Sequence, residues 1–375
     1  MNRKNICEIC TLIMGQSPDS KSYNKDKNGI PFYQGNADFG EEHPTPTVWC
    51  TAPKKIARKG DILISVRAPI GDMNIANEDC CIGRGLAAIR LNKSDIVDIN
   101  YLYHYLSATV EFLQEQGTGS TFKTINKTTL EGIEIPCPSI EKQKNIAKLI
   151  IEIKTSIQYK KAELFALNEL VKSRFIEMFG TLDLSIQGET WLPLSDVSTI
   201  FTGTTPSTKD IENWNGDIPW VTPAELSDDS FVVCDTERKI TQKGMKSKSL
   251  SLMPKNTVLL STRAPIGKVA ITGIEMCCNQ GFKNFYCNNT VLNPIYLYTL
   301  LRNNSEYLNS LGTGTTFKEI SKKNASNIKV PVADISLQNE FADFVKLIDK
   351  SKFIVQKQID DLQELLDSKM DEYFG

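Results

Sequence analysis

The sequence predicts an α+β protein in which two pseudo-symmetric mixed α/β globular domains are joined by two long antiparallel coiled-coil helices. Three observations predict this fold. An internal repeat spans the chain, short apolar runs alternate with Gly- and Pro-containing turns in the first part of each copy, and apolar residues recur every seven positions in the second part. The two copies occupy about residues 1–180 and 181–375.

The repeat consists of five motif pairs that occur in the same order in both copies. The pairs are Gly15–Pro18 with Gly203–Pro206, Gly29–Phe32 with Asp217–Trp220, Ile64–Gly71 with Leu260–Gly267, Gly117–Lys123 with Gly312–Lys318, and Phe179-Gly180 with Phe374-Gly375. The offset grows from 188 to 196 residues between the second and third pairs. This change indicates a variable loop region after about residue 38 and its counterpart after about residue 226.

The first part of each copy predicts a globular domain, over residues 1–140 and 181–335. Runs such as Asp61–Val66 and Thr257–Ser261 are rich in apolar residues and are bounded by turn residues, so they predict strands. A few helices are predicted among these strands, such as one over 99–114 and its counterpart over 294–309. A mixed α/β arrangement follows.

The second part of each copy predicts one long helix, over residues 141–180 and 336–375. Gly180 and Gly375 follow the heptad patterns, where a helix end is expected. One alternative is that each helix packs on its own domain, but helices of compact domains average three to four turns. The shared register favours a helix pair with a seam formed by Ile146, Ile150, Ile153, Ile157, Leu164, Leu167 and Val171, and by Phe341, Val345, Ile348, Val355, Ile359, Leu362 and Leu366.

The charge balance limits the modes of action that the chain can use alone. It carries 43 Lys and Arg against 45 Asp and Glu, a formal net charge of −2, whereas a protein that grips duplex DNA by itself is usually basic. Any DNA-binding surface is therefore expected to be local, or to be completed by partner subunits. The sequence shows no apolar run that would span a membrane and no signal peptide, which predicts a cytoplasmic protein without membrane contact.

Patterns for catalysis, cofactors and metals are weak throughout the sequence. Cys7 and Cys10 form a CxxC pair without a second pair or a nearby histidine, so we expect no metal site. Asn293–Tyr296 resembles the motif with which DNA amino-methyltransferases hold the target amine, but its counterpart Asp98–Tyr101 lacks the proline and both segments begin apolar helices. We predict no catalytic centre and no cofactor.

The order of the repeated blocks resembles that of the specificity subunits of type I restriction–modification systems. In the first copy the blocks are GQSP, GIPFYQGNADF, GDILISVRAPIG, GTGSTFKTI and the proline-rich segment IPCP, which precedes a long helix. In the second copy the corresponding blocks are GTTPST, IPWVTPAEL, LLSTRAPIG, GTGTTFKEI and VPV. The resemblance covers essentially the whole chain. It identifies 1–140 and 181–335 as target-recognition domains, and 141–180 and 336–375 as the conserved helices.

The resemblance implies a non-catalytic DNA-recognition subunit that binds double-stranded DNA. Each half would read one part of a bipartite site, while the helices would set the gap and dock DNA methyltransferase (modification) subunits. Motor–nuclease (restriction) subunits would join the full complex. Two alternatives stay open, namely a coiled-coil adaptor that does not read DNA, and the specificity chain of a related bipartite restriction system.

The repeat also ranks the candidate DNA-binding residues. Residues identical in both copies are expected to serve the scaffold or phosphate contacts, because the two halves should read different bases. Arg67 and Arg263 are identical, and a structural role in a turn is favoured over phosphate contact or base readout. The Gly-Thr-Gly segments predict either a phosphate clamp or a structural turn, with Ser120, Thr121 and Lys123 in the first copy and Thr315, Thr316 and Lys318 in the second.

Base readers are expected in the loops that differ between the copies. In the first copy these are Lys21–Lys27, Asp38–Thr51 and Arg84. In the second they are Lys209–Asn215, Ser227–Lys248 with Arg238, Lys243, Lys246 and Lys248, and Asn279-Gln280. Arginine and lysine can read guanine, and asparagine and glutamine can read adenine.

Overall fold

Two forty-residue helices dominate the secondary structure, the central helix Ile140–Phe179 and the C-terminal helix Ile335–Phe374. Each begins and ends within one residue of its predicted range. Gly180 takes a φ of 78°, a left-handed conformation that glycine adopts without a Cβ penalty at the end of a helix. The predicted α+β class with two long helices is confirmed.

The computed structural model describes residues 3–117, 123–186, 188–227, 230–263, 265–314 and 318–375. The chain divides into an N-terminal unit, Met1–Lys161 with Gln358–Gly375, and a C-terminal unit, Ala162–Lys357. Both long helices are therefore shared, because each contributes one part to each unit. The division into four domains with boundaries at residues 140, 180 and 335 stays a prediction.

The N-terminal unit is built on an antiparallel sheet in which Leu86–Leu91 lies between Cys10–Met14 and Ile62–Ser65, and Met73–Ile75 follows at the edge. A second sheet contains a parallel pair, Ile30–Tyr33 with Cys80–Ile82. The other strands of this sheet are Tyr23–Asn24, Trp49–Cys50 and Ile56–Ala57, while Arg3–Asn5 and Glu134–Pro136 form a separate antiparallel pair. The shorter helices of the unit are Ile6–Ile9, Ser20–Ser22, Asn36–Asp38, Ile99–Ala108, Val110–Glu115 and Lys127–Glu131.

The C-terminal unit repeats this arrangement. Lys283–Cys287 lies between Ser198–Thr202 and Val258–Leu260 in an antiparallel sheet, and Trp214–Val221 pairs in parallel with Cys277–Cys278. The other strands are Leu192–Pro193, Val232–Val233, Lys239–Ile240, Val269–Thr272 and Lys329–Val330, and the shorter helices are Leu194–Val197, Ile211–Asn213, Pro223–Glu225, Gln242–Ser247, Pro294–Asn303, Ser305–Ser310 and Lys322–Ser326. The sequence repeat is thus a repeat of topology.

The helices predicted over 99–114 and 294–309 are each broken into two, so the prediction of a continuous helix over each range was wrong. In the C-terminal unit the break lies at Asn304, which has φ −117° and ψ 32°. Its side-chain amide donates to the Leu182 carbonyl at 3.0 Å and accepts from the Leu184 N–H at 2.9 Å. These contacts hold Asn304 outside the helical conformation. Thr109 occupies the corresponding break in the N-terminal unit.

The last phenylalanine of each long helix packs on a tyrosine from the other copy of the repeat. In the C-terminal unit the ring of Phe179 lies 4.8 Å from that of Tyr296 and 5.7 Å from that of Phe341. The end of the central helix thus meets the beginning of the C-terminal helix, as an antiparallel pair requires. In the N-terminal unit Phe374 lies 5.4 Å from Tyr101.

Most of the side chains predicted to form the seam are removed from solvent. Those that are buried are Ile146, Ile150, Ile153, Ile157, Phe341, Val345, Ile348, Val355, Ile359 and Leu366, and those that are half-buried are Leu164, Leu167, Val171 and Leu362. Their assignment to one continuous helix–helix seam stays a prediction. Among the residues that the structure describes, no helix has both the length and the apolar character needed to cross a membrane.

A buried glutamine fixes the beginning of each long helix to its globular part. Gln338 is fully buried, accepts from the Asn293 N–H at 2.9 Å, and donates to the carbonyls of Val291 at 3.0 Å and Ala333 at 2.8 Å. Gln143 makes the same three bonds in the N-terminal unit. One side chain therefore satisfies three backbone groups at the junction of helix and globule.

We predict that Gln338→Met destabilises the protein by roughly 2–4 kcal/mol, because methionine leaves the three backbone groups without their partner. The exposed Gln363, in the same helix, is the control, and Gln363→Met should change stability by no more than about 0.5 kcal/mol. Chemical denaturation followed by circular dichroism measures both variants. Equal stabilities for the two would contradict the anchoring role of Gln338.

His104 is a buried histidine in the helix Ile99–Ala108, and its Nδ1 has no hydrogen-bond partner in the described part of the chain. Burial, together with the positive charge of Lys154, lowers the pKa of His104 to about 4. Burial also lowers the pKa of Lys154. At neutral pH the imidazole is therefore uncharged.

We predict that, because of His104, the free energy of unfolding falls when the solution is acidified. Between pH 6.5 and pH 4 the unfolded chain binds a proton at this histidine and the folded chain does not, so stability falls as the pH falls, by up to roughly 3 kcal/mol. His104→Leu should reduce this loss, whereas His43→Leu, at an exposed histidine, should not. Unfolding midpoints measured at pH 7, 6, 5 and 4 test this prediction. Midpoints that fall by the same amount with pH in the wild type and in His104→Leu would refute it.

Candidate nucleic-acid interface

The Arg-Ala-Pro-Ile-Gly turn of the N-terminal unit lies against the end of the Gly-Thr-Gly segment, at Lys123 and Thr124. In the N-terminal unit the Ala68 N–H donates to the Lys123 carbonyl at 3.2 Å, and Arg67 forms an isolated β-bridge with Thr124. Arg67 and Lys123 are both exposed. The structure therefore brings these two predicted cations together on the surface at the Arg-Ala-Pro-Ile-Gly turn.

The C-terminal unit repeats one backbone hydrogen bond beside this turn. The Ile320 N–H donates to the Thr262 carbonyl at 3.0 Å, just as the Ile125 N–H donates to the Val66 carbonyl at 3.0 Å. Arg263 forms a bridge with Glu319, which follows the exposed Lys318. The predicted Ser120, Thr121, Thr315 and Thr316 lie outside the described residues.

The electrostatic surroundings of the two arginines differ. Arg263 forms an ion pair with Glu319 at 2.8 Å, and the buried Lys283 approaches the same carboxylate at 3.3 Å. Although partial burial acts in the opposite direction, hydrogen bonds from Arg263 and Lys283 lower the pKa of Glu319. Thr124 stands where Glu319 does, so Arg67 lacks this partner and has no ion pair within the described ranges. Its charge is available to an anion.

A second surface feature of the N-terminal unit is a loop packed beside a pair of stacked rings. Arg84 lies in the exposed loop that follows strand Cys80–Ile82, and its N–H approaches the Ser17 hydroxyl at 3.4 Å. The rings of Tyr23 and Phe32 stack at 4.7 Å, and the Tyr23 hydroxyl donates to the Pro18 carbonyl at 3.0 Å. Burial raises the pKa of Tyr23, while the nearby Arg84 acts in the opposite direction.

The corresponding feature of the C-terminal unit contains two tryptophans. The rings of Trp214 and Trp220 lie 5.0 Å apart and nearly perpendicular, and their indole N–H groups each donate at 3.1 Å to carbonyls of the Thr204–Ser207 segment. The guanidinium of Arg238 lies 3.5 Å from the centre of the Trp214 ring. This cation–π contact holds Arg238 in one orientation on the surface.

The remaining predicted lysines of the C-terminal unit lie on its surface in different electrostatic states. Lys209, Lys246 and Lys248 are exposed. Lys243 forms ion pairs with Glu212 and, at 3.2 Å, with Asp210, and the hydrogen bonds to these carboxylates raise the pKa of Lys243. The charge of Lys243 is thus locally neutralised by two carboxylates.

Arg84, Arg238 and Gln280 could be predicted from the sequence, but the groups that hold them were not predicted. Ser17 and Thr205 occupy equivalent positions in the repeated Gly-x-Ser/Thr-Pro motif, and Phe32 and Trp220 occupy equivalent positions in the next repeated motif. The sequence did contain a signal for these groups, because a hydroxyl and an aromatic ring recur at the same places in both copies. Within the described ranges no cluster of three or more His, Cys, Asp or Glu side chains is arranged to hold a metal ion.

Comparison with known proteins identifies the class of this chain. The family model of the type I restriction modification DNA specificity domain matches residues 1–169 and again residues 189–364. The chain belongs to this family and contains two copies of its domain.

Individual relatives match parts of the chain. It is 49% identical over 152 residues to the putative type I restriction enzyme MjaX specificity subunit of Methanocaldococcus jannaschii. This match covers 40% of this chain and 36% of the relative. It is 36% identical over 185 residues to the MjaIX specificity subunit of the same organism, covering 48% and 43%. The matched segments span less than half the length of these curated relatives.

Solved structures share the fold along the whole chain. The crystal structure of a type I restriction–modification system S subunit from M. genitalium matches with a TM-score of 0.62 at 15% identity, covering 100% of this chain and 96% of that one. A chain from a structural study of complex assembly and conformational transition of the type I system matches with a TM-score of 0.61 at 16% identity, covering 100% and 97%. The two-unit, two-helix architecture is therefore a recurrent fold.

Proposed function

We propose that this chain is the DNA-reading specificity subunit of a type I restriction–modification complex, and that each unit reads one part of a bipartite site. One observation carries the proposal, namely that a single surface arrangement is built twice on matching backbones with different exposed side chains. Arg84 is exposed in one copy, and Arg238 and Gln280 are exposed in the other. Such a pattern suits recognition of two different short sequences by one type of scaffold.

Contacts to the phosphate backbone would come from the cations that the two copies share. Lys123 and Lys318 are exposed beside the Arg-Ala-Pro-Ile-Gly turn in both units, and Arg67 adds a charge without an ion-pair partner in the described ranges. These groups fix the position of a protein on DNA without reading sequence. The overall charge of −2 fits a reader that needs partner subunits to neutralise further phosphates.

The long helices would dock the DNA methyltransferase subunits and set the gap between the half-sites. Large apolar side chains are exposed on them, with Tyr159, Phe165 and Phe353 at 74%, 67% and 72% exposure. Exposed aromatic residues of this kind are enriched at protein interfaces. A groove of about 400 Å³ in the C-terminal unit is lined by Leu164, Val345 and Phe353. In this proposal the chain has no catalytic role of its own, and motor–nuclease subunits complete the restricting complex.

The test is a methylation map. We expect co-expression with the neighbouring methyltransferase gene to produce methylated adenines in a two-part motif with a fixed gap, read by long-read sequencing, and to produce none when this chain is omitted. Whole helical turns inserted equally into both long helices should lengthen the gap and leave both half-sites unchanged. Methylation that is independent of this chain, despite an assembled and active partner, would overturn DNA reading and favour the coiled-coil adaptor.

We predict that Lys123→Ala and Lys318→Ala weaken DNA binding about equally on all sequences. Each variant should make the slope of log K against log salt shallower by about 1, because one phosphate contact is lost. Fluorescence anisotropy of the assembled complex between 50 and 200 mM salt measures the slope. Lys243→Ala is the matched control and should leave the slope nearly unchanged, since carboxylates already neutralise that lysine. An unchanged slope for Lys123→Ala and Lys318→Ala would remove the proposed phosphate contacts.

A further inference from the structure

The loops Gly83–Gly85 and Asn279–Gly281 are held by the same backbone hydrogen bonds in the two units. The Gly83 N–H donates to the Tyr33 carbonyl at 2.8 Å, and the Asn279 N–H donates to the Val221 carbonyl at 3.1 Å. At the other end of each loop, the Gly85 carbonyl accepts from Val66 at 2.8 Å and the Gly281 carbonyl accepts from Thr262 at 2.7 Å. These donors and acceptors are counterparts in the repeat, so the intervening residues 84 and 280 occupy equivalent positions.

A close backbone approach reinforces this equivalence. A Cβ atom on Gly15 would lie 2.0 Å from the Gly83 carbonyl oxygen, and one on Gly203 would lie 2.4 Å from the equivalent Asn279 carbonyl oxygen. Only glycine fits at such a distance. The segments that follow these glycines are thereby held against the loops, and they place one hydroxyl beside each loop, Ser17 in the first unit and Thr205 in the second.

The side chains at the two equivalent positions differ in hydrogen-bonding chemistry. Both are exposed although they follow fully buried strand residues. The Arg84 guanidinium has no hydrogen bond or ion pair to the described part of the chain, so its donor fork is free. The Gln280 Oε1 accepts from the Thr205 hydroxyl at 2.6 Å, which orients the amide and leaves its NH₂ group and one oxygen lone pair for a ligand.

We propose that residues 84 and 280 are the paired base-reading positions of the two units, with Arg84 reading a guanine in one half-site and Gln280 reading an adenine in the other. This inference rests on the proposed function of the chain. The guanidinium fork matches O6 and N7 of guanine, and the glutamine amide matches N6 and N7 of adenine. The identical Arg67 and Arg263 could not distinguish the half-sites, whereas this pair could.

The experiment exchanges the two side chains in the complete complex. Arg84→Gln, Gln280→Arg and the double exchange are co-expressed with the methyltransferase, and the methylated motif of each is mapped. Each purified complex also selects DNA from a library in which the wild-type site is randomised, so that the preferred sequence is read without relying on methylation. The exposure of both positions favours normal folding, and circular dichroism and assembly of the complex check it.

We expect Arg84→Gln to reduce selection of guanine at one position of one half-site by roughly ten- to a hundred-fold, with the other half-site unchanged. Gln280→Arg should replace adenine selection in the opposite half-site. Arg84→Lys keeps the charge without the fork and should relax that base while largely retaining affinity. If an exchange variant does not assemble, Arg84→Lys alone decides the question for the first unit, and Gln280→Glu, which loses the amide donor, decides it for the second.

Two controls separate base readout from a general charge effect. Lys93→Gln removes one positive charge just beyond the far end of strand Leu86–Leu91, and Asn289→Arg adds one just beyond the far end of strand Lys283–Cys287. Neither should change the motif. Unchanged motifs in the exchange variants, or equal weakening on all sequences, would overturn the assignment of residues 84 and 280. If the wild-type complex gives no methylated motif that depends on this chain, the proposed function itself is refuted instead.

Discussion

The architecture depends on the buried amide that joins each globular part to its long helix. Gln143 and Gln338 each satisfy three backbone groups in a site from which water is excluded, and an unsatisfied buried donor or acceptor costs more than a surface hydrogen bond gains. The direction in which each helix leaves its globule is set by these contacts. Any distance that the helices impose on two recognition surfaces would be transmitted through this junction.

Duplication supplies a built-in comparison between positions that must be kept and positions that are free to change. Gly15 and Gly203 are the same in both units because close packing leaves no alternative there, and the loops Gly83–Gly85 and Asn279–Gly281 keep the same backbone hydrogen bonds. Charges around these loops differ more freely. Glu319 neutralises Arg263 while Thr124 leaves Arg67 without that ion pair, so one motif provides a structural ion pair in one copy and a surface cation in the other.

The large features of the fold could be predicted because their signals repeat along the sequence. The α+β class and both forty-residue helices follow from the heptad pattern and from glycines that end it. The breaks at Thr109 and Asn304 could not be predicted, because Asn304 is held by Leu182 and Leu184, far away in sequence. The stacking of Arg238 on Trp214 could not be predicted either, because the two residues are separated in sequence. Candidate loops could be named from divergence, but the equivalence of Arg84 and Gln280 required the hydrogen bonds that frame them.

The division of the chain into units has a consequence for the order of folding during synthesis. The C-terminal unit is one continuous segment, whereas the N-terminal unit includes Gln358–Gly375, where Phe374 packs on Tyr101. Ribosomes release the chain from its N-terminus, and contacts between distant segments form late. The unit that contains the first residues is therefore completed only after residues 358–375 have been made, and a chain that stops before them lacks the contact of Phe374 with Tyr101.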